Sequence, residues 1–291
     1  MQCSIKLQGG RLLCRIHDLT CVNYRLQDRD EGPDLAYQPS AEVPTASVPG
    51  DLYQNAPIIE DEPTPIPTQD CFRGTGRVLA SKFVPPSPTS TPAEVFPAGT
   101  SRRTDPHVYR FINRNNPDQF LIYTDGACLR NGQTDPSAGW AFVFKPSTIC
   151  KSGTVSGRLE YYGPFNDHYA QTNNRAELRA VLAALRFRSW ADEGFTTLVV
   201  ATDFEYVAKG ATEWAYQWVR NLWMSSHNEE VKNRDLWELL LEEFERLSEG
   251  GVKVEFWRIP REMNEVADRA AKQAAEFEGQ GRFYDMMDTS F

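Results

Sequence analysis

From Phe120 onward apolar and polar residues recur with regular periods, and before it they do not. In Phe120-Leu121-Ile122-Tyr123-Thr124-Asp125, residues 120, 122 and 124 fall on one side and 121, 123 and 125 on the other, which predicts a strand. Residues 139–145 and about 154–163 read as two more strands, the three forming an antiparallel meander. Leu178, Val181, Leu182 and Leu185 stand at i, i+3, i+4 and i+7 and predict an amphipathic helix, with Thr172, Asn173 and Asn174 upstream to cap it. Residues 196–203 are a continuous apolar run ending in an acid, as expected of a strand buried on both faces. Helices are predicted at about 204–210, 212–221 and 234–248, a fifth strand at 252–259, and a last helix at 263–277 with Val266, Ala270 and Ala274 on its apolar side. This order predicts an α/β fold: a mixed five-stranded sheet, three antiparallel strands and then two parallel ones, flanked by helices.

Proline placement sets the first part of the chain apart. Only Pro136, Pro146, Pro164 and Pro260 lie beyond residue 117, so 15 of the 19 prolines fall within residues 1–117. Segments such as Asp61-Glu62-Pro63-Thr64-Pro65-Ile66-Pro67 sustain no helical or alternating pattern and offer little apolar area against their chain entropy. The expected division is a Pro-rich, largely disordered region over 1–118, with a short ordered piece near Leu7–Tyr24, a folded domain over 119–278, and a C-terminal tail over 279–291.

The whole 291-residue chain carries 31 Lys+Arg against 40 Asp+Glu, a net of −9. That balance excludes a non-specific nucleic-acid coat, which neutralises phosphates with excess base. It leaves room for an enzyme that meets nucleic acid through metal ions. No run approaches the roughly 20 apolar residues of a membrane span. The six scattered cysteines form no Cys-x-x-Cys pair and read as reduced thiols. A nuclear or cytoplasmic protein is expected. Residues 1–17, which hold Lys6, Arg11 and Arg15 and no acid, leave a mitochondrial presequence open.

Four carboxylates are the candidate chemistry. Asp125 and Asp203 end predicted strands, Glu177 begins a helix, and Asp268 sits early in the last one. Strand ends and helix starts on one side of an α/β sheet converge on a crevice. Acids gathered there repel one another unless cations neutralise them, and an all-oxygen set selects Mg²⁺ or Mn²⁺. Two such ions, about 3.5–4 Å apart, suit phosphodiester cleavage. Ordinary solvated acids are the competing explanation.

The surrounding motifs bear on that choice. Tyr123-Thr124-Asp125-Gly126-Ala127-Cys128-Leu129-Arg130-Asn131-Gly132, Thr172-Asn173-Asn174-Arg175-Ala176-Glu177-Leu178, Ala201-Thr202-Asp203 and Asn264-Glu265-Val266-Ala267-Asp268 resemble, in order and spacing, the signatures of the type 1 ribonuclease H family. Val231-Lys232-Asn233-Arg234-Asp235-Leu236-Trp237 adds a fifth match. The resemblance covers about residues 119–278. It implies an RNase H-like fold and an endonuclease that hydrolyses the RNA strand of RNA–DNA hybrids, leaving 5′-phosphate ends. Asp125, Glu177, Asp203 and Asp268 would hold two Mg²⁺ ions, with Mn²⁺ as a substitute. Cys128, Arg130, Asn131, Asn173 and Asn174 match positions that touch the RNA strand. Trp214 and Trp218 match the DNA-strand handle, and Thr172 and Asn233 match a pocket for a DNA phosphate. Trp223 follows the handle's spacing, though a place in the core is the stronger expectation for it.

The chain also departs from the family pattern. The loop before Asp268 is short and lacks histidine, Phe204 stands where Ser is usual, and Ala170 replaces a basic residue. The handle carries Val219-Arg220-Asn221 with Glu229 and Glu230 nearby instead of a basic cluster. Fewer phosphate contacts imply weaker, less salt-dependent hybrid binding. A hybrid-binding protein with weak catalysis, or a retroelement-derived domain, is therefore the alternative reading, and protein partners are left open.

Overall fold

A computed structural model describes residues 5–8, 11–14, 73–147 and 152–288. Its strands are β1 (Ile5–Gln8), β2 (Arg11–Cys14), β3 (Ser81–Lys82), β4 (Ala98–Ser101), β5 (Val108–Ile112), β6 (Gln119–Leu129), β7 (Ser137–Val143), β8 (Thr154–Arg158), β9 (Thr197–Thr202), β10 (Lys253–Arg258) and β11 (Met286–Asp288). Its helices are α1 (Pro92–Val95), α2 (Asn173–Arg186), α3 (Glu205–Lys209), α4 (Ala215–Arg220), α5 (Arg234–Glu249) and α6 (Glu265–Ala274).

The five strands expected from periodicity are β6 to β10. β6, β7 and β8 form the antiparallel meander, β9 runs parallel to β6, and β10 runs parallel to β9. Alternation along β6 sorts its side chains as read from the sequence. Phe120 and Ile122 join the core under α2, α3 and α5, whereas Leu121 and Ala127 join separate clusters on the other face. The α2 stripe of Leu178, Val181, Leu182 and Leu185 is fully buried. The predicted helices at 204–210 and 212–221 are one path: α3 continues through a π-helical turn, Gly210–Trp214, into α4.

Two expectations need correction. The first is the disorder assigned to 1–118, which fails for residues 73–118. The β4–β5 hairpin pairs with the start of β6, and β3 adds to the outer edge of β10, making an eight-stranded sheet. Phe83, Val95 and Phe96 cover Leu121, Val199, Ala201, Trp257 and Ile259 on the face away from α2. Arg110 and Glu193 form a buried ion pair, with the Arg110 Nε hydrogen bond at 2.9 Å. Proline density misled because Pro92 is well placed at the start of α1, behind a Thr91–Glu94 capping box. Such a segment needs no amphipathic period of its own when it lies on an apolar surface built by other strands. The hairpin β1–β2 overlaps the piece expected near Leu7–Tyr24, and residues 15–72 lie outside the described residues. Residues 279–288 of the expected tail do not form a simple tail either: Asp285 pairs with Arg186 at 3.0 Å, and β11 pairs with β2; residues 289–291 lie outside the described residues.

The second correction concerns α6. Its buried side is Ala267, Ala271 and Ala274, and Val266 is 55% exposed. The helix backbone lies so close to β7 that a Cβ on Gly139 would come within 2.3 Å of the Ala275 nitrogen. Only small residues fit that contact, so the largest apolar residue of the helix faces outward.

Candidate active site

The long strand β6 carries Asp125 to the face on which α6 packs. α2 brings Glu177 in over Gly126, where a side-chain Cβ would lie 2.2 Å from the Glu177 nitrogen. Glycine at 126 is thus what lets the helix come close enough to set two acids side by side. Asp203 follows directly on β9, the strand next to β6. One oxygen from each of Asp125, Glu177 and Asp203 lies within 4.8 Å of the others.

The first turn of α2 is held from two directions. Thr172 Oγ1 accepts a hydrogen bond from the Arg175 amide at 3.3 Å, capping the helix. The Arg175 guanidinium makes a buried two-point bond to Asp235 at the start of α5, at 2.6 and 2.9 Å, and lies over the Tyr169 ring. It also donates to Asn233 Oδ1 at 3.4 Å. One arginine therefore sets Thr172 and Asn233, the expected phosphate pocket, close together. Sequence reading quoted Arg175 within a motif and gave it no role.

Asn264 was also missed. Buried at the end of a 3₁₀ turn, Arg261–Met263, it donates from Nδ2 to Asp125 Oδ1 at 3.3 Å and Asp203 Oδ1 at 3.1 Å, and to the Thr124 carbonyl at 3.0 Å. This amide lies between two carboxylates that would otherwise repel. Its only sequence signal is its place in the motif that ends at Asp268.

Asp268 stands outside the group of three. Its Oδ1 accepts from Arg261 at 2.5 Å and its Oδ2 from Lys272 at 2.7 Å. Burial works upward on the Asp268 carboxyl, but these two cations outweigh it and hold it below the ordinary carboxylate value. The Lys272 contact could have been read from the i, i+4 spacing on a helix.

The other acids are pushed the opposite way. Burial, with the charges of Asp203 and Asp268 added, raises Asp125 from 3.8 to about 8. Glu177 is raised well above its ordinary value by burial and then by Asp125 and Asp203, with the Gly126 amide opposing. Asp125 Oδ2 and Glu177 Oε2 are buried and have no hydrogen-bond partner. Orphaned oxygens in an all-carboxylate set fit a hard divalent cation.

One prediction follows for the metal-free protein. The fold keeps a proton on Asp125 up to about pH 8, whereas the unfolded chain releases it near 3.8. Folding takes up a proton between those values, so this group's stabilisation is lost as pH rises through that range, by a few kcal/mol. Urea unfolding in EDTA should show a less stable fold at pH 8 than at pH 5. An equal or greater stability at pH 8 would contradict this.

The residues expected at the RNA strand lie around the end of β6 and the start of α2. Cys128 Sγ donates to the Gln171 carbonyl at 3.5 Å, and Asn131 Oδ1 accepts from the Asn173 amide at 3.3 Å. Arg130, at a positive φ of 55°, bonds back to the Asp135 carbonyl at 2.8 Å, and Asn174 is half-buried on α2. At the handle, Trp218 packs edge-on to the buried Trp237 with ring centres 5.2 Å apart. Trp214 sits one ring further out, 5.9 Å from Trp218 and 6.2 Å from Tyr206. Trp223 is 7% exposed and belongs to the core. Phe204 precedes α3 and gives it no side-chain cap.

Comparison with known proteins settles the lineage. The profile of the RNase H family matches residues 117–276, more than half of the chain. The chain belongs to the RNase H family. It is 38% identical over 161 residues to the ribonuclease H of Treponema pallidum, covering 53% of this chain and 89% of that protein. It is 35% identical over 161 residues to ribonuclease HI of Haemophilus influenzae, covering 55% of this chain and 92% of that one. Among solved structures it is similar to RNase H1 of Halobacterium salinarum, at 24% identity and a TM-score of 0.35 over 54% of this chain and 96% of that chain. Membership gives the enzyme class, a nuclease of the ribonuclease H type. Among the described residues no helix is long and apolar enough to cross a membrane.

Proposed function

We propose that this RNase H family member hydrolyses the RNA strand of RNA–DNA hybrids in a Mg²⁺-dependent reaction, with Asp125, Glu177, Asp203 and Asp268 holding two ions. The observation that carries the reading is the convergence of three carboxylates, two of which, Asp125 and Glu177, keep a buried oxygen without a hydrogen-bond partner. When bound, the ions supply an activated water and neutralise the charge that develops on the leaving oxygen. The protein's own part is orientation. Gly126 and Asn264 fix the spacing of the acids, and Arg175 fixes the turn of α2 that carries Asn173, Asn174 and Glu177.

Substrate selection rests on two flanks. Cys128, Asn131, Asn173 and Asn174 offer small polar groups, and Arg130 a guanidinium, suited to 2′-hydroxyls and phosphates across a minor groove. Thr172 and Asn233 would grip a DNA phosphate, and Trp214 would pack on deoxyribose, where a 2′-hydroxyl obstructs the fit. Incubation of the full chain with end-labelled hybrid, duplex RNA and duplex DNA tests the reading. Mg²⁺-dependent cutting of the RNA in the hybrid alone, with 5′-phosphate ends, is expected. Hybrid binding without cutting would favour the weakly catalytic alternative, which the bulky Phe204 and the acidic residues Glu213, Glu229 and Glu230 near the handle support.

The packing of the handle predicts a split between its tryptophans. Trp218 lies against the core and Trp214 does not. Trp214→Ala should weaken hybrid binding by about 1–3 kcal/mol, the range for stacking contacts, with little change in melting temperature. Trp218→Ala should lower the melting temperature as well. Equal melting losses in both would return Trp214 to a structural role.

A further inference from the structure

Arg261 occupies an unusual place for a cation. It projects from the 3₁₀ turn between Pro260 and Asn264, a turn closed by bonds from the Met263 amide to the Pro260 carbonyl and from the Asn264 amide to the Arg261 carbonyl, both 2.9 Å. The far end of the turn is fastened into the carboxylate group through the Asn264 side chain. Arg261 is therefore fixed at the rim, its side chain 66% exposed, with Nη2 on Asp268 Oδ1 at 2.5 Å. Its positive charge bears on Asp125 and Glu177 as well as on Asp268. Lys272 covers the other Asp268 oxygen.

Three of the four acids thus present oxygens to a common point, and the fourth is engaged by side-chain cations. A divalent ion approaching Asp268 meets a guanidinium already bonded to one carboxylate oxygen and carrying charge of the same sign. We propose that Arg261 is a built-in counter-ion for Asp268, which a divalent cation must displace, so that the ion held through Asp268 is the more weakly bound of the pair. This rests on the hydrolase reading above. Arg261 would act on ion occupancy through Asp268, as a positioning residue with no contact to the reacting atoms.

Calorimetric titration of the full chain with Mg²⁺, and separately with Mn²⁺, without nucleic acid, tests the proposal. Arg261→Gln keeps a polar, exposed side chain and removes the charge. It should tighten the weaker binding step by about tenfold, the size of effect that one adjacent unit charge has on an ionic equilibrium. Arg261→Lys keeps the charge and should stay close to the natural protein. Lys272→Gln should tighten binding less, because it leaves the Arg261 contact in place. Equal affinity in Arg261→Gln and the natural protein would overturn the counter-ion role while leaving the metal reading intact. Absence of any ion binding in both would overturn the two together.

Discussion

Asp125→Asn should abolish metal-dependent cleavage and leave the protein folded, more stable than the natural chain at pH 8 in EDTA. Asn keeps the size of the side chain and its contact with Asn264, but supplies a neutral amide where the site needs an anion. Loss of a single transition-state contact commonly costs about 10²–10³ in rate, and a lost metal ligand should cost at least that. The stability gain has a separate origin. Asp125 is buried beside Asp203, and burial and that neighbour raise it to about 8, so at pH 8 the fold bears a charge it tolerates poorly. Activity by labelled-hybrid cleavage and stability by urea unfolding should therefore move in opposite directions. Undiminished cleavage with reduced stability would make Asp125 a structural acid.

The second large effect is expected far from the carboxylates. Phe96 is fully buried and meets Trp257 and Phe83, with ring centres 6.2 and 5.5 Å apart. Phe96→Ala should cost about 3–5 kcal/mol, the usual range for emptying a buried aromatic site. A chain starting at residue 119 removes Phe83, Val95 and Phe96 together with the β4–β5 hairpin. It exposes Leu121, Val199, Trp257 and Ile259 and leaves Glu193 without Arg110. Such a chain should lose cooperative thermal unfolding, whereas one starting at residue 73 should keep it. Similar melting of the two would show that residues 73–118 only decorate the domain.

These two results separate what the sequence discloses from what it hides. Asp125 was legible because Phe120–Asp125 reads as a strand that carries an acid at its far end, although β6 runs on through Leu129 and Asp125 lies within it. The stripe of α2 was legible because four leucine and valine positions follow the helical period without a break. Phe83 and Phe96 were not legible: they belong to a segment whose apolar residues follow no period and instead fit a surface formed by β6, β9 and β10. Val266 misled for a related reason, since the tight approach of α6 to Gly139 rewards small residues and turns the large one outward. At the site, four carboxylates and their spacing were visible, but of their partners only Lys272, four residues after Asp268, left a sign in the sequence. Asn264 and Arg261 act through a three-residue turn, and no period or composition marks which way a turn points its side chains.

The most direct test of the account is diffraction from crystals soaked in Mn²⁺, read from the anomalous signal. An ion bonded to Asp125, Glu177 and Asp203 at about 2.1 Å, the spacing such hard cations take with oxygen ligands, is the predicted result. Crystals that take up Mn²⁺ elsewhere, with only water among these three side chains, would contradict it.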